Sequence, residues 1–130
     1  MAISLYHASP VRIEQFDFSD GVHFGSYHSA LEAALRKTDE TIYIHRIKFL
    51  ERCNIFESED VGSKEEWDKV IDDAINCNCT VIKYINKYEP GSSQSYIFLD
   101  DKRIVYSGIV TISAQDAEQA LLDYGYSTYL

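Results

Sequence analysis

Apolar and polar positions recur along this chain in short blocks, each of which can be read as one element. Residues 3–6 form a mostly apolar run suited to an interior strand, which delivers His7 at its end before Ala8-Ser9-Pro10 stops it. Val11, Ile13, Phe16 and Phe18 follow at mixed spacing, the mark of a loop with a short turn of helix or strand. Val22-His23-Phe24, set between Gly21 and Gly25, predicts a small strand. Ser29 and Glu32 make a capping box ahead of strong helix formers, so a helix is expected over 30–37. Over 42–50, Tyr43, His45, Ile47 and Phe49 alternate with Ile42, Ile44, Arg46 and Lys48, a strand with one mostly apolar face. Residues 51–62 read as a loop.

Ser63 and Glu66 form a second capping box, and Trp67, Val70, Ile71, Ala74 and Ile75 recur at the spacing of an amphipathic helix that ends at Asn76 and Asn78. Residues 80–86 are rich in Val, Ile and Tyr and predict a strand. Pro90-Gly91-Ser92-Ser93 breaks it, and a further strand is expected over 96–99. A last strand over 103–112 has Gly108 as a bulge, and Ser113 with Asp116 opens a short final helix over 117–124. Strands and helices are mixed without regular βαβ alternation, and neither G-x-G-x-x-G nor a Walker pattern occurs. The expected class is α+β, a single domain built on antiparallel sheets.

Composition narrows the partners. The 130 residues carry a net charge of -9, which sets the surface against direct nucleic-acid binding and leaves either a solvated acidic surface or one that meets a basic protein. No apolar run approaches the roughly 20 residues that span a bilayer, and the N-terminus lacks a basic segment followed by an apolar one. A cytoplasmic protein with no membrane contact is expected. Cys53, Cys77 and Cys79 are odd in number and lack the spacing of a zinc site, so reduced thiols and no metal are expected.

His7 and His23 stand at the ends of short strands beside small residues. Either alone reads as a hydrogen-bonded loop residue; together they read as a candidate site. His45 lies mid-strand and reads as structural, while His28 precedes a helix and reads as solvated.

Three segments taken together, Leu5-Tyr6-His7-Ala8-Ser9, Gly21-Val22-His23-Phe24-Gly25-Ser26 and Ser95-Tyr96-Ile97-Phe98-Leu99-Asp100, resemble the three-part signature of ADP-ribosyltransferases. Residues 84–89 resemble the segment before the last strand in small phage-encoded members, and the chain's size and opening strand resemble those of the anti-CRISPR kind. The resemblance implies split antiparallel β-sheets with flanking helices. It also implies NAD as substrate and transfer of ADP-ribose to a host protein, such as a component of bacterial defence, for which the acidic charge favours a target with a basic surface. On this resemblance His7 holds a ribose hydroxyl and the Ala8 backbone binds the nicotinamide amide, within a motif that also contains Ser9. His23, beside Phe24, takes the place of a tyrosine that stacks on nicotinamide, and Ser29 stands near an amide-binding serine. Arg12 and Lys87 are the nearest cations in sequence for the pyrophosphate.

The sequence departs from the family pattern at three positions. Ala8 replaces a glycine and requires a negative φ. His23 replaces the tyrosine. Ser95 falls where the family has its catalytic glutamate, and a serine cannot supply the carboxylate that, about 4 Å from a developing positive charge, is worth roughly 4 kcal/mol at an effective dielectric of 20. Glu89 is the candidate replacement, because Pro90-Gly91 permits a chain reversal. A second reading keeps the fold and drops the chemistry: an acidic inhibitor that covers a basic partner surface. A third, an RNA 2'-phosphotransferase, calls for basic residues that this chain largely lacks.

Overall fold

The computed structural model describes residues 2–86 and 93–126. Its element order is β1 (Ala2–Ser9), β2 (Val22–Phe24), α1 (Tyr27–Leu35), β3 (Thr41–Leu50), β4 (Ile55–Ser58), α2 (Lys64–Asn76), β5 (Val81–Ile85), β6 (Gln94–Phe98), β7 (Ile104–Ser113) and α3 (Ala114–Tyr124). The fold is mixed α+β with two sheets. One is antiparallel in the order β1-β3-β7; the other runs β2-β6-β5-β4. The second sheet is not wholly antiparallel as expected, because β4 pairs parallel with β5 through the crossover helix α2.

The chain folds into four layers: α1 with α3, the first sheet, the second sheet, and α2. β3 shows why. Its buried residues change sides midway, from Ile42 and Ile44 to Ile47 and Phe49, so the strand has two apolar half-faces rather than the one expected. The first pair packs with Ala30, Leu31, Ala34, Ala117 and Leu121 of the helices. The second pair joins Phe24, Val81, Tyr96 and Phe98 between the sheets. There Phe49 meets Phe98 edge-on at 5.0 Å, and each such buried ring contributes about 1.5–3 kcal/mol. Ile82, Tyr84 and Ile97 turn to the opposite face of the second sheet and cover Ile71 and Ala74 of α2.

Helix starts follow hydroxyl caps. Ser63 and Ser113 accept the amides of Glu66 and Asp116, as expected. The first helix begins earlier than the Ser29 box predicts, because Ser26 is the cap and accepts the Ser29 amide. His28 is therefore inside the helix, where it stacks on Tyr124 at 3.8 Å rather than facing water alone. Gly108, at φ +145, sits where the β3–β7 register shifts, the bulge expected there. Among the described residues one isolated antiparallel bridge links the two sheets, with Tyr6 and Gly25 exchanging backbone hydrogen bonds of 2.8 and 2.9 Å.

Candidate functional site

Beside the Tyr6–Gly25 bridge opens a cavity of about 870 Å³. Its wall includes His7 and Ala8 from β1, His23 and Phe24 from β2, Ser29 from α1 and Ser95 from β6. Residues far apart in sequence meet here because the bridge brings the edge of β1 against the end of β2.

Three histidines tie this wall together, each through Nδ1. His45 of β3 is buried, donates from Nδ1 to the His7 carbonyl at 3.1 Å, and accepts the Ile13 amide at Nε2, 3.0 Å away. A carbonyl only accepts, so the tautomer is fixed and the ring is neutral. His7 repeats the pattern one strand over, donating from Nδ1 to the His23 carbonyl at 2.8 Å. With the ring neutral, Nε2 of His7 is left as an acceptor. His23 Nδ1 lies 2.9 Å from the Tyr84 hydroxyl. The chain of contacts thus runs from the 10–20 loop through β3, β1 and β2 to β5.

Desolvation by burial lowers the pKa of His7, of His45 and of His23, the last to about 4, with His7 adding a smaller repulsion. All three rings are neutral at pH 7. Lys37, which also lines the cavity, pushes His7 and His23 in the same direction.

His23 stands edge-on to Trp67 at 5.5 Å and to Tyr84 at 5.8 Å, so three aromatic groups converge on one side of the cavity. On another side lie hydroxyls. Ser95 is buried, and its Oγ accepts from Asn86 Nδ2 at 2.6 Å. A Cβ on Gly25 would come within 2.5 Å of both Ser29 Oγ and Ser95 Oγ, so only the absence of a side chain there lets the two hydroxyls approach the bridge.

The remaining sequence candidates lie elsewhere. Ser9 is buried and its hydroxyl accepts the Val11 amide, closing the turn after β1. Arg12 is on the surface, 3.1 Å from Glu14, and is not part of the cavity wall. Among the described residues, the cations that are part of it are Arg36 and Lys37, at the end of α1. Glu89 and Lys87 lie outside the described residues. Ala8 has the negative φ its position requires. Sequence reading missed Trp67, Tyr84 and Asn86 as wall residues, because each also satisfies a helix or strand pattern. Tyr84 offered a signal, since its hydroxyl sits on a strand facing an otherwise apolar core.

Among the described residues no group of three or more His, Cys, Asp or Glu is placed to hold a metal ion, and no helix is long and apolar enough to cross a membrane. No family model, curated protein or solved structure matches the chain.

Proposed function

We propose that this chain is a mono-ADP-ribosyltransferase with an ADP-ribosyltransferase-like fold, which moves ADP-ribose from NAD to a protein. One observation carries the reading: the three segments that bear the family resemblance contribute His7, Ala8, His23, Phe24 and Ser95 to one cavity wall. Its volume falls in the range of small-molecule sites, and its wall combines aromatic faces with a few polar groups, as such sites do.

The residues suit distinct parts of the substrate. Nε2 of His7 accepts a ribose hydroxyl. Because Tyr6 gives both its peptide groups to Gly25, strand alternation turns those of Ala8 to the same open edge, where they suit an amide. His23, Trp67 and Tyr84 offer ring surfaces to nicotinamide, and the neutrality of His23 avoids repulsion with a pyridinium. Arg36 and Lys37 replace Arg12 as the cations for the diphosphate. In the reaction the nicotinamide–ribose bond breaks with its electron pair leaving on nicotinamide, a nucleophile on the target takes the ribose carbon, and that nucleophile loses a proton. Glu89 is the carboxylate for the positive charge that develops.

The test is incubation of the protein with labelled NAD and a bacterial lysate, with binding of NAD measured alongside by calorimetry. Label in a discrete protein band supports the reading; neither binding nor turnover overturns it.

Ser95 favours a second reading. Its hydroxyl, which stands at the family's glutamate position, is held by Asn86. If the fold is a relic serving as an acidic inhibitor, a pull-down yields a basic partner and His7→Ala keeps the biological effect.

A further inference from the structure

β4 pairs parallel with β5, with Ser58 opposite Tyr84, so the chain leaving β4 emerges at the Tyr84 end of β5. Two residues on, Asp60 is half-buried and forms part of the cavity wall. Ser63 then caps α2, and Trp67 follows one turn into the helix on the same wall. This short crossover brings a carboxylate and an indole to the side of the cavity where Tyr84 and His23 stand, the His23 Nδ1 being 2.9 Å from the Tyr84 hydroxyl.

The three rings form a corner. His23 is edge-on to both of the others, and Trp67 and Tyr84 lie 4.7 Å apart at 55°, so a flat group resting on one ring meets the next at an angle. Burial and the neighbouring His7 keep His23 neutral. The next influence on it is the Asp60 carboxylate, which acts more strongly than Lys37 and with the opposite sign. A neutral ligand ring gains only contact area here, whereas a cationic one is attracted by the ring faces and by the carboxylate. The cavity is polarised along its length. Arg36 and Lys37 stand at the end of α1 opposite its junction with β2, Glu32 is paired with Arg36, and Asp17 accepts the Ser19 amide.

We propose that Asp60, with His23, Trp67 and Tyr84, makes an organic-cation subsite that selects a flat aromatic cation over a neutral ring of the same shape. The identity of that cation rests on the proposed function: it is the pyridinium of oxidised NAD, with the diphosphate toward Arg36 and Lys37. NADH and free nicotinamide carry no charge on that ring. Asp60 is then the residue that determines which redox form of the dinucleotide binds, and nicotinamide, once it departs as a neutral molecule, is held less tightly than it was in the substrate.

A shape-matched pair of probes tests the subsite: nicotinamide, and nicotinamide methylated at its ring nitrogen, each titrated into the isotope-labelled full chain. Trp67 is the chain's only tryptophan, so its indole N–H gives a single resonance at the corner. The methylated cation should shift that resonance and bind about tenfold more tightly than nicotinamide, a comparison that needs no variant. Asp60→Asn should bring the ratio to about threefold, the share of the ring faces alone. NAD should likewise bind more tightly than NADH, by a ratio that Asp60→Asn lowers. Equal affinity of the two small probes, a preference unchanged in Asp60→Asn, or no shift at Trp67 with either probe up to tens of millimolar overturns the subsite. Preference for the methylated cation without NAD binding would retain the subsite and overturn the NAD reading, whereas NAD binding without any charge preference would do the reverse.

Discussion

His7 Nδ1 donates to the carbonyl of His23 at 2.8 Å, so a side chain of the first sheet fixes the backbone of the second at the cavity wall. The contact gives His7 two separable roles. Its Nδ1 holds the sheets in register, and its Nε2 remains for a ligand. His7→Ala should therefore lower unfolding free energy by about 1–3 kcal/mol, since a part-buried carbonyl loses its donor, and should weaken NAD binding as well. His7→Asn can keep a donor near the carbonyl while removing Nε2, so it should recover part of the stability and little of the affinity. Urea unfolding and NAD titration of both variants separate the roles. Equal affinity in His7→Asn and the parent would remove Nε2 from the binding site.

The neutral histidines make the fold sensitive to acid in a defined direction. The unfolded chain protonates His23 near pH 6.5, whereas the folded chain does so only near pH 4. Between these values the unfolded state binds more protons, so stability is complete above pH 6.5 and is lost as pH falls toward 4, by roughly 3 kcal/mol at most for this residue. His7 and His45 act in the same direction, and protonating His45 also breaks its bond from Ile13. His23→Phe keeps a flat ring beside Trp67 and cannot titrate. Its loss of stability between pH 7.5 and 4.5 should be smaller than the parent's, and an unchanged loss would show that His23 does not titrate as described.

Gly25 is the narrowest point of the site. Its missing Cβ leaves room for Ser29 Oγ and Ser95 Oγ, each 2.5 Å from where a methyl would stand. Gly25→Ala must displace both hydroxyls or part the bridge to Tyr6, at a cost of about 1–3 kcal/mol. It should also reduce NAD affinity more than Ser29→Ala does, since one change disturbs both hydroxyls. Calorimetry on the two variants decides the order.

Much of this arrangement was legible in the sequence, and the exceptions have physical causes. Caps at Ser63 and Ser113, the apolar stripe of α2 and the bulge at Gly108 are local features with local signals. β4 looks like loop in the sequence because Ile55 and Phe56 are its only apolar residues and its partner β5 is 26 positions away in register. Glu32 follows Ser29 at capping-box spacing and so points to Ser29 as the cap, whereas the Ser26 hydroxyl is the one that reaches an orphan amide. The sequence points to His7 and His23 together as strand-end residues, though His7 lies within β1 and His23 is the middle residue of β2. Its hydrogen-bond sense was not legible, since only the fold shows that Nδ1 meets a carbonyl. Arg12 is near His7 in sequence, a nearness that the turn after β1 does not preserve in space.

The last prediction distinguishes an enzyme from a relic and rests on Glu89. Asn86 is part of the cavity wall, its amide donates to the Ser93 carbonyl at 3.0 Å, and its side chain donates to Ser95, so the two flanks of the 87–92 segment are fixed at the site. Glu89 is the carboxylate between those flanks in sequence, and Ser95 supplies none. Glu89→Gln keeps the side chain's size and polarity but removes its charge. If that charge acts on the oxocarbenium-like state, turnover should fall by about two to three orders of magnitude while NAD affinity changes little. His7→Ala should show the converse, weakening binding, because it removes a ground-state contact. Ser95→Ala should alter turnover less than Glu89→Gln, since Ser95 contributes a hydroxyl already engaged by Asn86. Single-turnover transfer from labelled NAD, measured beside NAD binding, gives both quantities. Full transfer by Glu89→Gln would exclude Glu89 from the chemistry and leave the carboxylate to be supplied by the target protein.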